Sequence, residues 1–283
     1  MPATGACIAA LHLYPVKSLR GLALDAAAVT PTGLESGGIG DREWMVVDPA
    51  GRFVTQRELP GLARIAPAIE GDGMVLRAAG DDELRIPLEA VPSAPRDVVV
   101  WLSHVKGYDQ GDAAAAWLSK RLGRTLRLVR FDRATTRLCN PQFAGDSGAH
   151  TLFADGYPVL VIGAASLADL NARLVAGGSP ALPMNRFRPN LVVDGLEPYD
   201  EDHLDTLSIG AAVLKMVKPC IRCQITTTDQ DSAEVGIEPL PTLAGYRHDA
   251  PLGGVRFGMN AIVTSSPAST VRVGDAVEVA WRF

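Results

Sequence analysis

The chain has 283 residues, 47% of them hydrophobic and 21% charged, which excludes a disordered chain and gives no sign of a fibrous one. This length admits one large β domain or two closely associated smaller ones. A formal net charge of −5 excludes a general attraction to nucleic acid, so any anionic ligand must be held by a local cluster of cations.

At the N-terminus, Met1 to Ala6 carry no basic stretch followed by an apolar run, and no run of about 18 apolar residues occurs anywhere. The expectation is a cytoplasmic protein without membrane attachment. Four cysteines in a chain of this size make no disulfide framework, which fits a reducing compartment. Short β-like runs follow in order: Ile8–Tyr14, Leu22–Val29, Arg42–Asp48, Phe53–Gln56, Met74–Arg77 and Val98–Leu102. Between two of them, Asp48-Pro49-Ala50-Gly51 has proline second and glycine last, the preferred placing for a type I turn, and predicts a hairpin. Asp112–Gly123 predicts a helix with Asp112 as N-cap, basic residues late and Gly123 just past the end. A second helix is predicted over Ser166–Leu174, where Leu167, Leu170 and Leu174 share a face and Gly177 stops the run. Gly177–Pro183 is the most loop-like stretch. Further β-like runs are Asn190–Asp194, Ala212–Val217, Ile225–Asp229, Ala261–Thr264 and Ala276–Trp281. Strands and helices do not alternate, so a mainly β architecture with a few packed helices is expected over a doubly wound parallel sheet. No GxGxxG or P-loop sequence follows a predicted strand.

The most informative segment is Lys218-Pro219-Cys220-Ile221-Arg222-Cys223, which holds two of the four cysteines among cations. A structural zinc site would need a second Cys pair or a His-x3-5-His, and neither occurs. A thioredoxin-like dithiol belongs where a strand meets a helix, whereas the β-branched run from Ile225 predicts a strand. The dithiol reading is disfavoured but stays open, and two more stand beside it. Both thiols are buried small hydrophobes, or one thiolate binds a soft metal carried by an anionic cofactor whose charge the cations offset. The second reading needs further cations, and these occur in Lys17-Ser18-Leu19-Arg20-Gly21, in Asp41-Arg42 and in Arg186-Phe187-Arg188-Pro189-Asn190.

Taken in order, Tyr14–Ser18, Gly40–Arg42, Val54–Arg57, Ala165–Asn171, Arg186–Asn190, Cys220–Cys223, Glu238–Leu240 and Val273–Val277 make the chain similar to a known family. It resembles the MOSC-domain proteins preceded by a MOSC N-terminal β barrel, the group that includes the mitochondrial amidoxime reducing component. The resemblance implies a barrel region over residues 1–125 and a MOSC barrel over 126–283, with a molybdenum cofactor (Mo-molybdopterin) between them. It further implies Cys223 as the metal ligand. Lys17, Ser18, Arg42, Arg188, Ile221 and Arg222 fall where pterin or phosphate is contacted, with Asn190 joined to them and Arg20, Arg57 and Arg186 as outlying candidates. Asp155 falls at an acidic, site-lining position and is the candidate for moving a proton. The implied reaction is two-electron reduction of N-hydroxylated compounds, namely amidoximes, hydroxylamines and hydroxylated nucleobases. No plant-type cysteine cluster of a fused ferredoxin occurs, so the expected donor is a separate ferredoxin- or cytochrome-type protein with its reductase. The alternative is a carrier of the cofactor or its sulfur with no turnover of its own.

Overall fold

A computed structural model of the chain describes residues 5–80, 82–89, 94–265 and 268–282. The leader expectation, where it concerns the first four residues, lies outside the described ones. The fold is mainly β with a few packed helices. Its largest sheet runs in the order Leu22–Leu24, Cys7–Leu13, Leu191–Asp194, Val159–Gly163, Gly254–Ser265, Ala212–Ile221, Leu204–Ile209, Glu278–Trp281. The central strand Val159–Gly163 is buried on both faces, which is why it is an unbroken apolar run rather than an alternating one. It pairs in parallel with Leu191–Asp194 and antiparallel with Gly254–Ser265. Between the two parallel strands lies the helix Ala164–Ala176, which packs Leu170 and Leu174, both fully buried, among Phe187, Leu243 and Phe257. Truncating Leu170 to alanine would cost about 2–5 kcal/mol.

Three smaller sheets complete the molecule. One runs Arg96–Val100, Ser103–Asp109, Arg127–Phe131, Trp44–Val47; the second is Thr270–Arg272, Ala26–Thr30, Gly33–Ser36, Ile39–Gly40; the third is Ala66–Glu70, Gly73–Arg77, Glu83–Pro87. Pairing crosses the chain freely. Cys7–Leu13 lies beside Leu191–Asp194, Ala26–Ala28 beside Thr270–Arg272, and Trp44–Val47 beside Arg127–Arg130.

Local chemistry explains most elements. The helix Gly111–Leu122 ends on Gly123 in the left-handed conformation, φ 66°, but its N-cap is Gln110 and Asp112 lies in the first turn, where its charge suits the helix dipole. At Asp48–Gly51 the Gly51 N–H donates to the Asp48 carbonyl at 2.9 Å and Val47 bridges Phe53, so the turn forms. Phe53–Gln56 makes only that isolated bridge beyond it and is not a strand. The predicted strand Leu22–Val29 divides at Asp25 into two pieces that serve different sheets.

Candidate active site

The strand Ala212–Ile221 delivers the cysteine pair to a cavity of about 270 Å³. Ile221 is its last residue, and a Cβ on Gly254 of the neighbouring strand would lie 2.5 Å from the Ile221 side chain, so only glycine allows that approach. After Cys223 the chain turns into the 3-10 segment Gln224–Thr227, not the strand that the β-branched residues predict. The Cys223 carbonyl accepts from both the amide and the hydroxyl of Thr226, at 3.1 and 2.9 Å. Side chain–backbone bonding of this kind competes with a ladder and explains the misread strand. Cys223 is exposed, while Cys220 is half-buried against the Phe187 cluster and accepts from Arg222 Nη1 at 2.9 Å. Both are free thiols.

The basic wall comes from three loops. Lys17 follows the first strand, its amide donating to the Trp44 carbonyl at 2.8 Å. Its ammonium is buried, donates to the Phe153 carbonyl at 2.9 Å and pairs with Asp155. Ser18, Arg42 and Arg188 have φ of 67°, 49° and 56°, left-handed values that non-glycine residues seldom adopt. All three line the cavity. Such strain persists only where surroundings over-determine it and concentrates at functional sites. The guanidinium groups of Arg42 and Arg188 lie over the Tyr14 ring, at 4.1 and 4.3 Å from its centroid. Gly21 packs beneath that ring, where a Cβ would come within 2.4 Å of it, so this glycine serves the tyrosine rather than a phosphate.

The hydrogen bonds that fix this wall converge on two buried side chains. Asp41 accepts from the Tyr14 amide at 3.0 Å, from Asn190 Nδ2 at 2.9 Å and from Arg42 Nη1 at 2.5 Å. Asn190 in turn accepts from Arg42 and from the Leu160 amide and donates to the His12 carbonyl. Its amide is thereby committed to the protein and orients Arg42. Arg188 donates through Nη1 to the Leu19 carbonyl at 2.7 Å, but its Nη2 is buried without a partner. Burial lowers the pKa of Arg188 to about 10, which leaves it cationic at neutral pH. A buried donor of this kind, on a residue that lines the cavity, calls for an acceptor.

All nine sequence-derived site residues line this one cavity: Lys17, Ser18, Arg42, Asp155, Arg188, Asn190, Ile221, Arg222 and Cys223. Of the outlying candidates Arg57 joins them, whereas Arg20 pairs with Asp231 and Arg186 with Asp229. Asp155 favours its carboxylate form. Burial alone would raise its pKa, but the Lys17 ammonium and the Trp101 N–H outweigh that and hold the carboxyl well below the usual range. Two contributors escape sequence reading. Arg137 donates to the carbonyls of Leu152, Ala154 and Asp155 at 2.9, 2.6 and 3.1 Å and so shapes the loop that carries Asp155. Trp101 reaches the cavity from a hairpin tip. Neither lies in a motif; both act through contacts across 15 residues or more.

The donor set has a definite chemistry. One accessible thiol can bind a soft metal, and buried cations with an unsatisfied N–H can bind an anion. Among the described residues no group of three or more His, Cys, Asp or Glu could hold a metal by itself. The residues present therefore fit a metal that arrives within an anionic cofactor.

Comparison with known proteins agrees in extent. Residues 5–125 match the MOSC N-terminal beta barrel domain and residues 149–278 the MOSC domain. Mitochondrial amidoxime reducing component 2 of Bos taurus is 35% identical over 95% of this chain and 82% of its own length. Mitochondrial amidoxime-reducing component 1 of Homo sapiens is likewise 35% identical, with the same coverage of both chains.

Proposed function

The chain belongs to the MOSC-domain proteins that carry a MOSC N-terminal β barrel, and from that premise we propose that it is a molybdenum-cofactor-dependent reductase of N-hydroxylated compounds. The observation that carries this reading is the convergence of an exposed Cys223 thiol with buried Lys17 and Arg188 and half-buried Arg42 on one cavity. In it Cys223 holds the metal, and Lys17, Ser18, Arg42, Arg188, Ile221 and Arg222 hold the pterin and phosphate. The buried Nη2 of Arg188 is the donor that a phosphate oxygen would satisfy. When bound, the cofactor supplies a two-electron centre able to take up the oxygen of the substrate. The net reaction consumes two electrons and two protons, turning R–NHOH into R–NH2 and water.

The protein's own part is to hold and orient. Lys17 and Trp101 keep Asp155 ionised at the cavity edge, where it accepts substrate N–H groups rather than delivering protons. Electrons come from a separate ferredoxin- or cytochrome-type donor. We further propose a cytoplasmic location, in keeping with four free thiols, and a division near residue 125 with the cofactor shared across it. No helix among the described residues is long and apolar enough to cross a membrane. A turnover assay tests the function. Metallated protein with a low-potential artificial donor is expected to convert benzamidoxime to benzamidine. Fully loaded protein inert toward several amidoximes and hydroxylamines would instead be the cofactor or sulfur carrier.

A further inference from the structure

We propose that Trp101 selects planar substrates at this site, its indole forming the wall against which the delocalised part of an N-hydroxylated amidine or nucleobase lies; this rests on the reductase reading above. The backbone first draws attention to it. Val100 pairs with Ser103, so Trp101 and Leu102 form a two-residue hairpin tip, and Trp101 has φ 54°. Tips of this length draw glycine, asparagine or aspartate to left-handed positions, and a tryptophan there opposes the local preference. The turn does not need the indole, since Trp101 is 42% exposed and its neighbour Leu102 is 97% exposed.

The ring is nevertheless fixed. Its Nε1–H donates to Asp155 Oδ1 at 3.0 Å, and Phe53 lies tilted against it with centroids 5.1 Å apart. The guanidinium of Arg57 sits over it, 4.5 Å from the centroid. That contact is informative, because guanidinium and amidine share a planar, delocalised N–C–N system that an aromatic face attracts. Arg57 takes one face of the ring, so a substrate meets the part of the indole that lines the cavity. Beside it, Asp155 Oδ1 is taken by Lys17 and Trp101, while Oδ2 accepts no hydrogen bond within the described residues. An amidine lying on the indole can donate an N–H to that oxygen, a charge-assisted bond. Trp101 and Cys223 line the same cavity, which puts this recognition corner and the metal-binding thiol on one substrate.

The test uses metallated protein, the product pair benzamidine and acetamidine as calorimetric probes, and the KM values of the corresponding amidoximes. Trp101→Ala is expected to weaken benzamidine, whose delocalised system extends over its aryl ring, about tenfold and acetamidine, which offers the indole only its N–C–N group, far less, with KM following binding. Trp101→Phe keeps the face and loses the N–H, and is expected to restore the preference to within about twofold of the parent. Trp101→Gly, which suits the left-handed backbone, replaces the alanine variant should that one fail to fold, with the same expected loss. An unchanged benzamidine-to-acetamidine ratio in Trp101→Ala or Trp101→Gly overturns the proposal. So does a phenylalanine variant that falls with them, since the tether to Asp155 would then be what matters. If loaded protein reduces neither amidoxime, the reductase reading fails, and the calorimetric ratio still decides the role of Trp101.

Discussion

Lys17 and Arg188 are buried and tied to backbone carbonyls, and Arg42 is pinned by Asp41 and Asn190. Cys223, on the same cavity, is exposed, and its thiol has no hydrogen-bond partner among the described residues. The difference follows from charge. A buried cation is costly unless most of its hydrogen bonds are met, so the basic wall recruits Tyr14, Asp41, Asn190, Leu19 and Phe153 as fixed partners and leaves Arg188 Nη2 as the donor still to be met. An exposed thiol carries no such penalty and must stay accessible to bind anything. One end of the site is preorganised, the other merely presented.

Substitutions can pull the two ends apart. The largest effect is expected at the thiol. Cys223→Ser should lose more than about tenfold of the molybdenum bound, by elemental analysis after production in a cofactor-competent host, without a change in thermal midpoint. Cys220→Ser should keep most of it, and equal metal content in parent and Cys223→Ser would remove Cys223 as the ligand. At the basic wall the expected damage is to stability instead. Asp41→Ala leaves the Arg42 guanidinium, the Asn190 amide and the Tyr14 N–H without their shared acceptor, and should cost about 3 kcal/mol in denaturant unfolding. A loss below about 1 kcal/mol would mean the wall is not held as described.

The smallest effect belongs to the loop after the cysteine pair. Asp229 accepts from the amides of Asp231 and Ser232 and from Arg186, which together lower its pKa to about 2. Its folded pKa lies below its unfolded one, so the stabilisation is complete above about pH 4 and fades as pH falls toward 2. Asp229→Asn should therefore lower the thermal midpoint by about 1–2 °C at pH 7, with the gap closing below pH 4, as expected for a group that solvent partly screens. A gap that stays constant down to pH 2 would show that the effect is not ionic.

Much of the cysteine segment and the basic loops was legible because short motifs put chemically distinctive residues close together in sequence. Lys17, Ser18, Arg42, Arg188 and Cys223 all reach the cavity that the reading requires. What could not be read is who holds them. Asp41 stands next to Arg42 in sequence, but its role depends on Asn190, which arrives from just before a strand, 149 positions away. Arg137 and Trp101 carry no pattern at all, since their partners are loop carbonyls and a carboxylate brought up by other elements. The strand predicted over Ile225–Asp229 failed because threonine hydroxyls there bond to nearby carbonyls, a preference that β-propensity averages away.

The pairing of the chain's two ends bears on how the protein is made. Cys7 bridges Ala276, and Ala26–Ala28 pair with Thr270–Arg272. During synthesis the early strands therefore wait for partners made long after them, and contacts of such sequence separation form slowly. Lys17, held between these early strands and the Trp44 strand, meets the Cys223 segment only after that closure. On the proposed function, a cofactor would therefore enter a cavity that only the closed chain provides.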